Sequence, residues 1–569
     1  MTVTPALLAR RIAQARRHEP ADLVVKNARL LNLADGTLEP TDIAICGDTV
    51  VGLYAAYRGI REIDAEGRIA VPGFIDTHVH VESTMVAPDQ FERLVLPRGT
   101  TTAICDPHEI GNVLGVPGIS YVLDCALALR MTLRVQLSSC VPASPLETSG
   151  ACLLDHDLLP LVSHPAALGL AEMMNYPGVL AADPACLAKL AAFAELPIDG
   201  HAPLLGGLDL NAYLACGIRT DHEATREDEA REKLRKGMHV CMREGSASKD
   251  VERLAGLLDD TTWPFVSFCT DDRNPLEIVC EGHIDCAIRK AIAKGAPPLA
   301  AYRAATLAAA RAFRLHDRGL TAPGRRADLV LLDDLETCKV GAVLIGGRPA
   351  EEVLAEPAVL PPAVGYRSVK RGPVRPEDFE IRAPGPSGPV IGVIPHALLT
   401  ERLTLELPWA DGRRRPDPTQ QVHAVAVLER HGRNGNIGRA FVRGFGPMRG
   451  ALATSIGHDS HNITVVGADE TSMATAANRV IATQGGLVAA EGETCLAELA
   501  LPLAGLMSDR PYEEVTPQLE WLLAAARALG CALDEPFLQM AFLPLAVIPH
   551  LKVTDMGLVD VDKFALIAA

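Results

Sequence analysis

Residues 72–84 read "PGFIDTHVHVEST", an apolar stretch whose polar end carries His78 and His80 one residue apart. In an extended strand successive side chains alternate between faces, so residues i and i+2 share one. The two imidazoles therefore aim at a common point, either as the polar end of a strand or as half of a metal site. A pair this short does not decide between those readings, and the flanking chain has to.

From Ala70 to about Ala322 short apolar strands alternate with helical stretches, the pattern of parallel βα units. The candidate strands are 71–80, 101–108, 133–141, 168–174, 197–201, 219–223, 239–244 and 265–272. Eight such units in roughly 250 residues match a closed (β/α)8 TIM-like barrel, whose chemistry sits at the C-terminal ends of its strands. Upstream, "ADLVVKNARLLNL" and "DIAICGDTVVGL" read as strands around a turn cluster, and "GRRADLVLLDDLETCKVGAVLIGGRPA" (324–350) returns to that style.

The expected α/β architecture is thus a barrel over 71–322 inserted in a small β-sandwich-like domain built from 1–70 and 323–354. A proline-rich stretch, 355–389, reads as a linker. Beyond it, 390–569 is expected to form an α+β domain, with helices at 471–486 and 516–530 stopped by Gly485, Gly486 and Gly530.

A formal net charge of −17 argues against nucleic acid as a partner, because phosphate binding needs clustered Lys and Arg. A small molecule fits better. No apolar run reaches the roughly 18 residues of a membrane span. The 14 cysteines are scattered without a CxxC pair, as expected of reduced thiols in a cytoplasmic protein. Arg10, Arg11, Arg16 and Arg17 give the first 18 residues a transit-peptide flavour, but an amphipathic opening helix is the simpler expectation.

The strand ends carry His78 and His80 (first), Glu172 (fourth), His201 (fifth), His222 (sixth) and Asp271 (eighth). A lone histidine at a strand end is ordinarily scaffold, but so many at the catalytic end of one barrel are hard to ascribe to chance. Four imidazoles and two carboxylates exceed one tetrahedral ion and suit two metals sharing a carboxylate. Asp272 reads as an orienting residue, and Glu223 falls on the opposite face if its strand is regular. Asp106, His108 and Glu109 at the second strand's end suit either substrate contact or loop scaffolding. At the seventh, Arg243 or Glu244 is placed either to bond a substrate or to form an ordinary ion pair, and His283 could reach the mouth.

These segments resemble the amidohydrolase superfamily and, more closely, the bacterial adenine deaminases: "PGFIDTHVHVEST", "TTAICDPHEIGNVLG", "GLAEMMN", "DGHAP", "GIRTDHE", "MREGS", "CTDD" and "EGHID", with "GHDSHN" and "NRVIATQGG" beyond the barrel. The resemblance spans nearly the whole chain. It implies that His78, His80 and Asp271 hold one divalent ion and His201 and His222 a second, with Glu172 bridging where many relatives carry a carboxylated lysine. Imidazole and carboxylate ligands accept Zn, Fe or Mn, and the resemblance leans to Mn or Fe. It further implies hydrolytic deamination of adenine in purine salvage, by hydroxide made available when metal lowers the pKa of water from 15.7 toward ~7. Asp271 and Glu172 are the expected catalytic carboxylates, Asp271 as proton shuttle.

The zinc deaminases that use H-x-E with P-C-x-x-C are excluded, since the chain has no PCxxC. An N6-substituted adenine, or a cyclic amide of the hydantoinase or dihydroorotase kind, would suit the same metals. A homodimer or larger assembly is expected. In "GHDSHN", His458 and His461 either belong to a solvated turn or close over the barrel mouth and contact the purine.

Overall fold

The computed structural model describes residues 3–569. Thr4 caps an opening helix, Pro5–Ala15, by accepting from Leu7 N. Strands Ala21–Leu31, Leu38–Cys46, Thr49–Gly52, Gly59–Asp64 and Ile69–Pro72 join Leu329–Asp334, Lys339–Ile345 and Arg348–Pro349 in one sheet. The two ends of the chain segment meet where Ile69–Pro72 pairs antiparallel with Leu329–Asp334.

The stretch expected as one strand over 71–80 is two. Ile69–Pro72 belongs to the small sheet, and Phe74–Val79 is the first barrel strand. Gly73 lies between them, donating to Asp328 O at 2.9 Å while Phe74 N turns to Gly99 O. A Cβ there would stand 2.1 Å from Thr101 Oγ1, so only glycine lets the chain pass from one sheet to the other.

The remaining barrel strands are Thr100–Cys105, Thr132–Leu137, Ala167–Met173, Ile198–Gly200, Thr220–Asp221, His239–Arg243 and Val266–Cys269. The first five run parallel in one sheet and the last three in another. Arg219 N bonds Ile198 O across the first seam, and at the second Asp271 N bonds His78 O at 2.9 Å while His80 N bonds Asp271 O at 3.2 Å. The barrel therefore closes at its C-terminal rim, where the sequence concentrates its histidines.

Beyond the barrel, the stretch over 355–389 has little regular structure until a short helical turn, Pro376–Phe379, and strand Ser387–Val393. That strand opens a second eight-stranded sheet. Period-2 alternation gives this sheet two apolar faces. Ala424, Ala426 and Leu428 pack with helix Glu470–Ala482, whereas Val425 and Val427 join a core shared with helix Tyr512–Ala528 and with barrel residues Val86, Phe91 and Leu94. Arg93 pairs with Glu513 and lies 5.1 Å over the Tyr512 ring at the same seam. No helix among the described residues is long and apolar enough to cross a membrane.

Candidate metal centre

His78 and His80 leave the first strand with their Nε2 atoms 3.2 Å apart. The outer nitrogens of both rings are engaged: His78 Nδ1 with Asp199 Oδ2 at 2.9 Å, and His80 Nδ1 with the carbonyl of Asp106 at 2.9 Å. A carboxylate and a carbonyl accept, so each Nδ1 carries the ring proton and each neutral ring presents a bare lone pair inward. Two lone pairs facing each other at that distance repel, and a proton or a metal ion between them relieves the contact. Anchoring of the outer nitrogen is how proteins orient metal-binding histidines.

Glu172, on the fourth strand, divides its oxygens between two histidine pairs. Oε1 stands 3.5 Å from His78 Nε2 and 3.4 Å from His80 Nε2. Oε2 stands 2.7 Å from His201 Nδ1 and 3.3 Å from His222 Nε2. Asp271 Oδ1 lies 3.1 Å from His80 Nε2 and 3.8 Å from His78 Nε2. All six residues are buried.

The loops that bring these groups together are fixed by a buried lysine. Lys233 donates to Asp221 Oδ2 at 2.8 Å and to Ala202 O at 2.7 Å, while Asp221 Oδ1 accepts from Ala202 N, which locks the ends of the fifth and sixth strands together. Asp271 lies past the end of its strand at φ 57°, a conformation aspartate tolerates better than most residues, and turns back into the rim.

Burial works against charge on these rings, yet Asp199 and Glu172 outweigh it and raise His78 to about 10. Burial likewise opposes a charge on His201, but Glu223 and Glu172 raise it to about 9. Burial would raise Glu172 and Asp271, but the histidines around both, and Arg243 beside Asp271, hold them well below the usual carboxylate range. The cluster demands positive charge, and its imidazole and carboxylate donors suit a divalent cation.

Other expected residues are placed differently. Arg243 is buried with its terminal nitrogens engaged, bonding Glu223 and, through NH1, Asp271 Oδ2 at 2.6 Å. Glu244 takes the alternate face and accepts from Lys290 at 2.7 Å, away from the cluster. His283 does not come to the mouth. The chain first runs through helix Pro275–Glu281, and the imidazole ends against Thr100 Oγ1 at 3.0 Å and Asp76 Oδ2 at 3.3 Å.

At the second strand's end, Asp106 accepts from Ser138 at 2.8 Å and holds His108 Nδ1 at 3.1 Å, and that nitrogen is also 3.3 Å from Glu172 Oε1. Glu109 accepts from Ser83 at 2.7 Å, and Ser83 also bonds Asp272. Glu223, assigned to the opposite face, faces the centre, with Oε1 3.8 Å from His201 Nδ1 and 3.7 Å from His222 Nε2. The regular strand ends at Asp221, so alternation no longer governs the next two side chains. Asp199 was missed, although it shares strand parity with His201.

The "GHDSHN" loop packs into the barrel mouth of its own chain. His458 stacks on Phe542 with centroids 4.5 Å apart and lies 3.9 Å from Asp272. Asn462 Nδ2 donates to Thr148 O at 2.9 Å. His461 is scaffold to the loop, its Nδ1 accepting from Gly457 N at 3.2 Å. A cleft of about 490 Å³ has Glu223 and Arg243 in its wall, with Tyr176 and Leu204 from the barrel and Leu398 and Ile548 from beyond it.

A closed parallel barrel with histidines and carboxylates gathered at its C-terminal rim defines a metal-dependent hydrolase of the amidohydrolase class, and the sequence model of the Amidohydrolase family matches residues 69–350. The model of the adenine deaminase C-terminal domain matches residues 397–565. The chain is 61% identical over 564 residues to an adenine deaminase of Methylobacterium nodulans, covering 99% of this chain and 100% of that one. To an adenine deaminase of Gluconobacter oxydans it is 57% identical over 561 residues, covering 98% and 99%. The chain belongs to the adenine deaminase family.

Proposed function

We propose that this chain converts adenine and water to hypoxanthine and ammonia at the centre around Glu172, using two divalent ions of which Mn and Fe are favoured. The observation that carries the reading is the division of Glu172, one oxygen toward His78 and His80 and the other toward His201 and His222. Whole-length similarity to proteins named adenine deaminase supplies the substrate. His78, His80 and Asp271 would hold one ion, His201 and His222 the other, and Glu172 would bridge them. When bound, such ions make hydroxide available near neutral pH by lowering the pKa of water from 15.7 toward ~7.

The chain's own residues then handle orientation and protons. Asp271 has one oxygen toward the histidines and the other fixed by Arg243, so its carboxylate is held at the reacting face. It takes a proton from the attacking water and passes it to the ring nitrogen or the departing amine. Water oxygen bonds to C6, the C6–N bond breaks, and ammonia leaves. The cleft bordered by Glu223 and Arg243 admits the flat base, and the wall beyond the barrel limits water entry.

Ammonia release from a panel of adenine, N6-substituted adenines, dihydroorotate and hydantoins tests this reading. Adenine should be the preferred substrate by kcat/KM. Turnover confined to the cyclic amides or to N6-substituted bases would overturn it.

A further inference from the structure

Asp459 is fully buried, and neither of its carboxylate oxygens has a hydrogen-bond partner. An ionised carboxylate taken out of water without a partner is costly, by several kcal/mol even after relaxation. Its two nearest imidazoles do not meet the need. His458 Nδ1 stands 3.6 Å from Oδ1 and His108 Nε2 3.7 Å from it, both beyond a hydrogen bond.

His108 sharpens the point. Its Nδ1 faces the carboxylates of Asp106 and Glu172, at 3.1 and 3.3 Å. Its Nε2 has no hydrogen-bond partner, and it is buried and turned toward Asp459. Two buried, unpartnered ligand atoms about 3.7 Å apart have the spacing of two ligands on one tetrahedral cation with bonds near 2.0–2.3 Å. Cys140 supplies a third atom: His108, Cys140 and Asp459 offer one nitrogen, one sulfur and one oxygen within 4.8 Å of one another, all buried.

We propose that His108, Cys140 and Asp459 form a cation site distinct from the histidine centre, taking a borderline-soft divalent ion of the Zn²⁺ kind. The sulfur selects the ion, because thiolates favour Zn over Mn or Mg. Three protein ligands leave one position for water. His108 and Cys140 follow the second and third barrel strands, while Asp459 comes from the loop beyond the barrel, so the ion would tie that loop to the mouth. The inference does not depend on how many ions the histidine centre holds, since the six residues assigned to that centre include no cysteine.

X-ray absorption of the full-length, zinc-loaded protein provides the test. The expected spectrum contains a zinc–sulfur path at about 2.3 Å. In Cys140→Ser that path disappears and bound zinc falls by one equivalent. Asp459→Asn, close to isosteric and with the thiol intact, should lose the same equivalent, which keeps the test decisive if the serine variant folds poorly. Sulfur scattering that is absent from the wild type at full loading, or that persists in Cys140→Ser, would overturn the proposal, as would an unchanged zinc content in Asp459→Asn.

Discussion

The Nε2 atoms of His78 and His80 face each other at 3.2 Å while both Nδ1 atoms are tied outward, to Asp199 and to the Asp106 carbonyl. This arrangement is unfavourable for two neutral rings alone and favourable around a cation. His78→Ala or His201→Ala should therefore abolish adenine turnover while far-ultraviolet circular dichroism stays that of the native barrel. Full activity in His201→Ala would remove that histidine from the centre.

Asp271 is held by Arg243 on one side and faces His80 on the other. Asp271→Asn keeps the shape but cannot carry a proton, so kcat should fall much further than metal content. Activity per bound metal is the quantity to compare. Equal losses in both would make Asp271 a ligand only.

Arg243 lies between Glu223 and Asp271, and all three are buried. Arg243→Gln leaves two carboxylates without their cation, and breaking a buried pair from one side costs about 3–5 kcal/mol. A clear fall in the urea midpoint is expected, and an unchanged midpoint would mean that Arg243 does not anchor the pair.

Much of the site was legible because period-2 parity and barrel topology are local rules. His78 and His80 share a face, and the ends of parallel strands converge on one rim. The rules failed where the strand itself was short. Glu223 follows a strand of two residues, so it turned inward against the alternation expected of it. Gly73 split a continuous apolar run, for a reason that lies in the contact with Thr101 and not in the run. Cys140 and Asp459 are hundreds of residues apart and meet only in the folded chain, where Cys140 packs in one cluster with Phe542 and Leu545 from beyond the barrel.

That shared core also bears on how the chain can be divided. Val86, Phe91 and Leu94 of the barrel pack in one cluster with Leu519 and Leu522. A chain ending at Val353 would expose this surface, and it should be recovered mainly as aggregate in size-exclusion chromatography. A monodisperse, active product would show that the barrel needs no cover.

Lys552 is fully buried and donates to the carbonyls of Leu398 and Phe542, at 2.7 and 3.0 Å. Burial pushes its ammonium down to about 7, against an unfolded value near 10.4. Between those values the unfolded chain binds more protons, so stability rises as pH increases from about 7 to about 10 and is lower below that window. Urea midpoints across the window should rise more for the wild type than for Lys552→Met. Parallel curves would mean that Lys552 does not titrate in this range.

The most direct measurement is hypoxanthine formation by metal-stripped protein as Mn²⁺ or Fe²⁺ is added back. Turnover should be negligible without metal, recover to saturation at two equivalents per chain, and not recover in His78→Ala. Full turnover of adenine by protein shown by elemental analysis to contain no metal, or saturation at one equivalent, would contradict this expectation.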